Sequence, residues 1–553
     1  MSQNAIKLET RSVSSLAKIF AEDTELREPA YRKGSALWGE VYAFQVAYRS
    51  DRLLKQIQVE AISAGLQHSA ITVREVGLVP SELPIYADHD DRIIQAKPGL
   101  FPDPLFPVTA EEGITALPQV WRSVWITIEV DRADQGGTHS IEVRFATAEG
   151  ERLGSESFEL TVIPRELPEQ KLIHTEWFHS DCIATHYNVP AFSEEHWQLL
   201  EAYIKTAVKH GINLLLTPLF TPPLDTAVGG ERPTVQLVDV EKTGDQYAFG
   251  FERLDRWADL CLAAGIRYFE FSHLYTQWGA KHAPKIVAKE NGEYKKIFGW
   301  GTEAAGETYR NFLEQFVPEL LKWVERRGLQ QRVYFHISDE PYMDALEDYR
   351  LASDFLRPML EGYPVIDALS DFAFYESGLV PHPIPATNHI EPFLEAGVDN
   401  LWTYYCCGQY KNVANRFFTF PSARNRIIGV QMHKFGITGF LHWGFNFWFS
   451  QYSRKAINPF VTTDAGHAFP SGDAFLVYPG EEGPIESIRM EVFYEALQDM
   501  RAFALLEELG GKEELRAMID GVTFSSYPEE SEWLLALRET VNERIAAFTP
   551  AAR

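Results

Sequence analysis

Two neighbouring carboxylates, Asp339 and Glu340, stand at the end of an apolar run from Val333 to Ile337. The run carries β-branched and aromatic residues and reads as a buried strand. A parallel strand of a (β/α)8 barrel delivers its last residues into the active-site mouth. Two acids side by side there cost desolvation and mutual repulsion, which a purely structural role does not explain. Pro341 biases Glu340 away from the helical region. Neighbouring side chains of a strand point to opposite faces, so the two acids converge on one ligand only if the backbone turns at this point. The plainer alternative is a strand-end acid followed by a helix N-cap acid, before a helix starting near Tyr342.

Other residues capable of chemistry gather at the ends of further candidate strands. The first carries His174, Glu176, Trp177 and His179. The third contains Glu270 and leads to His273, Tyr275, Gln277 and Trp278. The sixth ends in Thr387, Asn388 and His389, the seventh carries Trp402, Tyr404 and Tyr405, and the eighth leads to His442, Trp443, Asn446 and Trp448. Any one of these aromatics could serve packing alone. Together, polar groups beside flat indoles suit a sugar, whose hydroxyls take hydrogen bonds and whose C–H face stacks on Trp. His174, Glu176 and His179 spell His-x-Glu-x-x-His, but on an extended strand His179 leaves the face shared by the other two, so no metal is expected. A glycine-rich phosphate loop and a Gly-x-Ser-x-Gly elbow are absent, which takes support from nucleotide and serine-hydrolase chemistry. No cofactor is expected.

Ordinary glycosidases place two carboxylates on either side of the scissile bond, and sequence neighbours are not the simplest way to achieve that. Substrate-assisted hydrolysis of 2-acetamido sugars needs a different pair. One carboxyl protonates the leaving oxygen. The other holds the acetamido N–H while the substrate's own carbonyl oxygen attacks the anomeric carbon. Asp339 fits the orienter and Glu340 the acid/base, with the charge of Asp339 helping to raise the Glu340 pKa. Two rivals stay open: a two-carboxylate glycosidase for a non-acetamido sugar, pairing Glu340 with Glu176 or Glu270, and a carbohydrate-binding protein without catalysis.

The surrounding elements fall into two patterns. Up to about residue 165, short alternating segments such as Val41–Tyr48, Val124–Val130, Ile141–Ala146 and Phe158–Val162 are separated by turn residues, which predicts a β-sandwich over 1–165. Ile163 to Gln170, with two prolines and no periodicity, reads as a linker. Strands then alternate with helices. Candidate strands are Leu172–Phe178, Leu214–Thr217, Tyr268–Phe271, Val333–Ile337, Val365–Ala368, Ile384–Thr387, Leu401–Tyr404 and Gly439–His442. Helices include Glu194–His210, Leu254–Ala264, Gly306–Arg327, Met343–Leu360 and Pro421–Phe435. This predicts a multidomain chain: the N-terminal β-sandwich, a (β/α)8 TIM-type barrel over 171–510, and a C-terminal helical extension over 511–553. Amphipathic helices are expected near Ile485–Leu509 and Glu530–Ala547.

Composition limits the partners. Lys and Arg number 51 against 78 Asp and Glu, a formal charge of −27, which argues against nucleic acid and anionic membrane. A small glycoside or oligosaccharide is the expected partner; the composition is silent on oligomeric state. Four cysteines make no disulfide framework, and a bridge between adjacent Cys406 and Cys407 would be strained. The first ten residues show no apolar leader, and no stretch approaches the roughly 18 apolar residues of a membrane span. A cytoplasmic protein is expected.

Four stretches together resemble the glycoside hydrolase family 123 group, the β-N-acetylgalactosaminidases and their relatives. They are His336-Ile337-Ser338-Asp339-Glu340-Pro341, Leu401 to Cys407, Gly436 to Trp448, and Phe475 to Gly480 with Ser487 to Glu491. The resemblance spans about residues 35 to 509. It implies a retaining, substrate-assisted mechanism with no metal, most of all on β-linked N-acetylgalactosamine. The family's acid pair corresponds to Asp339 and Glu340, and position in the similar segments puts Tyr404 and Trp443 in the sugar pocket. With them, Trp177, His179, His273, Trp278, Asn388, Trp402 and Asn446 make up the expected substrate-binding set.

Overall fold

The computed structural model describes residues 8–548. Residues 1–7, on which the expectation of no leader partly rests, and residues 549–553 of the C-terminal extension lie outside the described residues. The chain divides into two compact units. One holds the residues up to Gln170, Tyr410–Lys434 and everything from Ile485 onward; the other holds Lys171–Gln409 and Phe435–Pro484.

The first unit contains two five-stranded sheets. One is antiparallel throughout, in the order Glu9–Ser14, Val41–Arg49, Arg122–Glu129, Ala70–Ser81 and Gly99–Pro107. The other runs Lys33–Trp38, Arg152–Glu166, Gly137–Ala146, Leu54–Ile62 and Ile114–Ala116. Period-two alternation builds them: Ile141, Val143 and Phe145 are buried while Arg144 between them is exposed. Both sheets feed one apolar core, in which the rings of Phe44 and Phe158 stack at 4.2 Å. Helix Ile488–Glu508 is not amphipathic as expected. Its polar residues Arg489, Glu491, Glu495 and Asp499 are buried, each in an ion pair: Arg489 with Asp103 at 2.9 Å, Glu491 with Arg74 at 2.6 Å, and Glu495 and Asp499 with Arg426 at 2.8 and 2.7 Å. Buried charges are retained when paired in this way, so the helix can be enclosed despite them.

The second unit carries the parallel strands. They are β1 (Ile173–Glu176), β2 (Leu214–Thr217), β3 (Tyr268–Phe271), β4 (Val333–Tyr334), β5 (Ile366–Leu369), β6 (His382–Pro385), β7 (Trp402–Tyr404) and β8 (Gly439–His442). Six form a parallel sheet in the order β4-β3-β2-β1-β8-β7, and β5 pairs with β6 in parallel. Parallel bridges Phe335↔Val365 and Ala386↔Tyr404 adjoin the two pieces.

Three local expectations change. The fourth strand ends sooner, because the N–H of Ile337 donates to the side chain of Asp367 at 3.2 Å and leaves the ladder. The sixth strand begins two residues earlier, and Thr387–His389 forms a 3-10 turn instead. Met343–Leu360 is an α-helix only over Leu346–Leu356, flanked by 3-10 turns, the second containing Pro358. A four-stranded sheet of Asp239–Thr243, Gln246–Gly250, Ile286–Glu290 and Glu293–Phe298 was not anticipated. No helix among the described residues is long and apolar enough to cross a membrane.

Candidate functional site

The backbone turns where the two acids require it. Glu340 adopts φ +42°, a left-handed conformation that L-residues with a side chain enter at a cost of about 1–3 kcal/mol. Pro341 was expected to bias Glu340 away from the helical region; the turn that Glu340 makes instead is left-handed. The loop after β3 grips the segment before the turn. Tyr275 N–H donates to Ile337 O at 3.2 Å and Trp278 N–H to Asp339 O at 2.8 Å. The Ser338 hydroxyl donates to Thr276 O at 2.8 Å. Both acids are half-buried and line one cavity of about 190 Å³. Tyr404, at the end of β7, donates its hydroxyl to Glu340 Oε1 at 2.6 Å.

Burial pushes both carboxyls upward. For Asp339 the neighbouring Glu340 charge adds to burial, and the shift is large. For Glu340 the hydrogen bond from Tyr404 opposes burial, while the charge of Asp473 reinforces it. Two adjacent carboxyls raised together hold a proton between them to higher pH than a solvated carboxyl does.

Beneath the pair lies a fully buried polar floor. Glu270 accepts from Thr175 at 2.5 Å and from the Trp177 indole at 2.7 Å, and pairs with His336 Nε2 at 2.6 Å. The other ring nitrogen of His336 meets Asp367 Oδ1 at 3.3 Å, and Tyr349 donates to the same carboxylate. Burial opposes a charged His336, but hydrogen bonds to Asp367 and Glu270 and their charges push it up to about 9. His336 is thus an imidazolium at neutral pH, set under the acids. His273 stacks on it at 4.2 Å, and burial with the His336 charge holds His273 neutral.

A second buried cluster flanks the first. His174 meets Glu176 at 3.2 Å; His442 lies 3.6 Å from Glu176 on one side and 3.6 Å from Asp473 on the other. Asp473 accepts from the Trp443 indole at 2.9 Å and so fixes that ring. Glu176 and Glu270 are both 0% exposed and committed to these clusters. Neither is among the cavity-lining residues, whose carboxyls are Asp225, Asp339 and Glu340.

Of the residues expected to bind substrate, Trp177, Trp278, Tyr404 and Trp443 line the cavity with the acid pair. The other five do not. Trp402 shares a strand face with Tyr404 but lies two residues earlier, away from the cavity, where its ring sits on Gly439; a Cβ there would stand 2.1 Å from it. His273 is buried and stacked on His336. His179 is held neutral, its pKa lowered to about 3 by burial and by Arg232; it contacts Trp443 O at 2.8 Å and takes a hydrogen bond from Arg232 at 3.0 Å. Asn446 clamps the His179 backbone through both its oxygen and its nitrogen, at 2.8 and 3.1 Å. Asn388 is exposed and accepts from Gln409 at 2.9 Å.

The sequence reading missed Asp225, Tyr452, Asp367 and Asp473. Asp367 leaves a trace, an acid inside the apolar strand Val365 to Leu369. Asp225 and Tyr452 leave none, because both lie in irregular loops. Burial pushes Asp225 up to about 6, with the charge of Asp473 adding to it and a backbone hydrogen bond from Tyr452 opposing. Asp225, Trp278, Glu340 and Tyr452 all line the cavity with positive φ, at +37°, +61°, +42° and +60°. Strain gathered on one cavity is the pattern of a functional site.

Residues 177–506 match the family model described as glycoside hydrolase 123, catalytic domain. The structure of a family 123 glycoside hydrolase from Clostridium perfringens, solved to detail glycolipid glycan hydrolysis, superposes with a TM-score of 0.74 at 16% identity, over 98% of this chain and 98% of that one. At that identity the likeness is one of fold. A β-glucuronidase from Parabacteroides merdae reaches a TM-score of 0.32 at 11% identity, over 90% of this chain and 54% of its own, too loose an overlap to carry an argument. None of the curated protein sequences matches this chain. More than half of the chain, including the acid pair and the aromatics that line the cavity, falls within the matched catalytic domain: it is a glycoside hydrolase and belongs to the glycoside hydrolase 123 family.

Proposed function

We propose that the enzyme is a retaining exo-glycosidase that releases β-linked 2-acetamido-2-deoxy sugars, N-acetylgalactosamine first among them, by substrate-assisted catalysis. The observation that carries this reading is the company of the acid pair. Asp339 and Glu340 open onto one cavity, while Glu176 and Glu270 are fully buried and do not line it. The parallel strands, with bridges adjoining their two pieces, are read as a (β/α)8 barrel whose mouth holds the site, and the two N-terminal sheets as a β-sandwich.

In this mechanism Asp339 accepts the acetamido N–H, turning the carbonyl oxygen toward the anomeric carbon. That hydrogen bond favours the Asp339 carboxylate. The proton retained by the pair then resides on Glu340, which delivers it to the leaving oxygen. The displaced bond leaves an oxazolinium, whose positive charge Asp339 balances. Glu340, now a carboxylate stabilised by Tyr404, takes a proton from water as it opens the ring with net retention. Trp177, Trp278 and Trp443 supply apolar faces for the sugar. A glycolipid glycan, as hydrolysed by the Clostridium perfringens enzyme, is a natural source of such a terminal residue.

The test is hydrolysis of four nitrophenyl β-glycosides. The N-acetylgalactosaminide is expected to be fastest, and both 2-acetamido substrates to exceed galactoside and glucoside by about a hundredfold or more, since a site built around a polar group rejects an analogue lacking it. Comparable turnover of galactoside would overturn the reading.

A further inference from the structure

Asp225 is a third carboxyl on the cavity wall, and the chain holds it there from several directions. Its N–H donates to Gln277 Oε1 at 2.6 Å, and the amide of Gln277 also donates to Thr226 O at 3.2 Å. Its carbonyl accepts from the Ser453 hydroxyl at 2.7 Å. Its carboxylate Oδ2 accepts from Tyr452 N–H at 2.9 Å. The flanking loops carry their own strain, for Trp278 and Tyr452 are left-handed and their rings meet edge to face at 5.9 Å. Tyr452 takes Oδ2, and among the described residues none donates a hydrogen bond to Oδ1. Arg232, whose charge acts on Asp225, is bidentate to Asp181 at 2.7 and 2.8 Å. A strained, three-point anchorage that leaves one carboxylate oxygen open in a sugar-sized cavity is a built hydrogen-bond acceptor.

We infer that Asp225 is a specificity-determining residue that accepts a hydrogen bond from a ring hydroxyl on the C4–C6 side of the bound sugar. The inference rests on the acid-pair reading of the cavity. Asp339 and Glu340 occupy the C2 and C1 edge, so a carboxylate borne by the loop after β2 meets the remaining edge. It favours a terminal sugar with free hydroxyls there and disfavours one sulfated at C4 or C6, because a fixed carboxylate repels an anion.

The experiment measures kcat/KM for wild type, Asp225→Asn and Asp225→Ala on whichever aryl β-glycoside wild type turns over best, and on its 4-deoxy and 6-deoxy analogues. This choice of parent keeps the test valid if the acetamido reading fails. Wild type is expected to lose about ten- to a hundredfold on one deoxy analogue, the range for a hydrogen bond to a charged group. Asp225→Ala is expected to lose a similar factor on the parent and to be indifferent to that deoxygenation. Asp225→Asn retains the shape and an oxygen for Tyr452, so its partial loss separates recognition from misfolding, checked by its melting temperature. Equal losses by Asp225→Ala on all three substrates, or no loss on the parent, would overturn the inference. A sugar trapped covalently on Asp225 would make it a nucleophile and overturn it as well.

Discussion

Glu340→Gln loses about 10²- to 10⁴-fold in kcat on glycosides whose leaving groups are poorly acidic, the usual contribution of a positioned general acid. On aryl glycosides with acidic phenols the first step needs no proton, and the loss is smaller by at least an order of magnitude. The difference between substrates identifies the role, because a merely misfolded variant loses both equally. Wild type adds a second reading through pH. Burial raises Glu340 above the ordinary glutamate range, and the adjacent Asp339 is raised further. The acid form therefore survives to higher pH than a solvated carboxyl allows, and the alkaline limb of kcat/KM lies above that range. Glu340→Gln abolishes that limb on the aryl substrates it still cleaves. Equal loss on both leaving-group classes would remove Glu340 from the acid role.

Asp339→Asn acts on a different step. An amide can still accept the acetamido N–H, so binding survives and KM changes little. The charge that balances the oxazolinium is gone, and kcat on 2-acetamido substrates falls by about 10²-fold or more, as for the loss of one fixed electrostatic group in a desolvated site. A variant with wild-type kcat would leave Asp339 a structural residue.

The acid pair was legible as a candidate because two adjacent carboxylates directly after an apolar run cost desolvation and repulsion. The turn that joins them on one cavity was legible as a requirement, but its means was not: proline statistics favour extended backbone at Glu340, whereas the loop after β3 fixes it left-handed. Periodicity tells which face of a strand a residue takes and not how deep it lies, so Trp402 and Tyr404 looked alike although only Tyr404 reaches the cavity. His179 and Asn446 have the composition of a site and serve as loop clamps. Asp225 and Tyr452 carry no periodic trace, since irregular loops are positioned by tertiary hydrogen bonds. The parallel strands were readable from their apolar runs. The extra four-stranded sheet was hidden by its exposed, charged strands, such as Glu293–Phe298.

The identity of the nucleophile is the centre of the account, and one experiment addresses it directly. A thiazoline built from the 2-acetamido sugar mimics the bicyclic intermediate, and a fluorinated glycoside traps a protein nucleophile if there is one. Competitive inhibition by the thiazoline at least about a hundredfold tighter than substrate binding, with no sugar attached to the protein after the fluorinated glycoside, is the expected result. A sugar bound covalently to Asp225, Glu176 or Glu270, with no thiazoline inhibition, would contradict it and assign the enzyme to ordinary two-carboxylate catalysis.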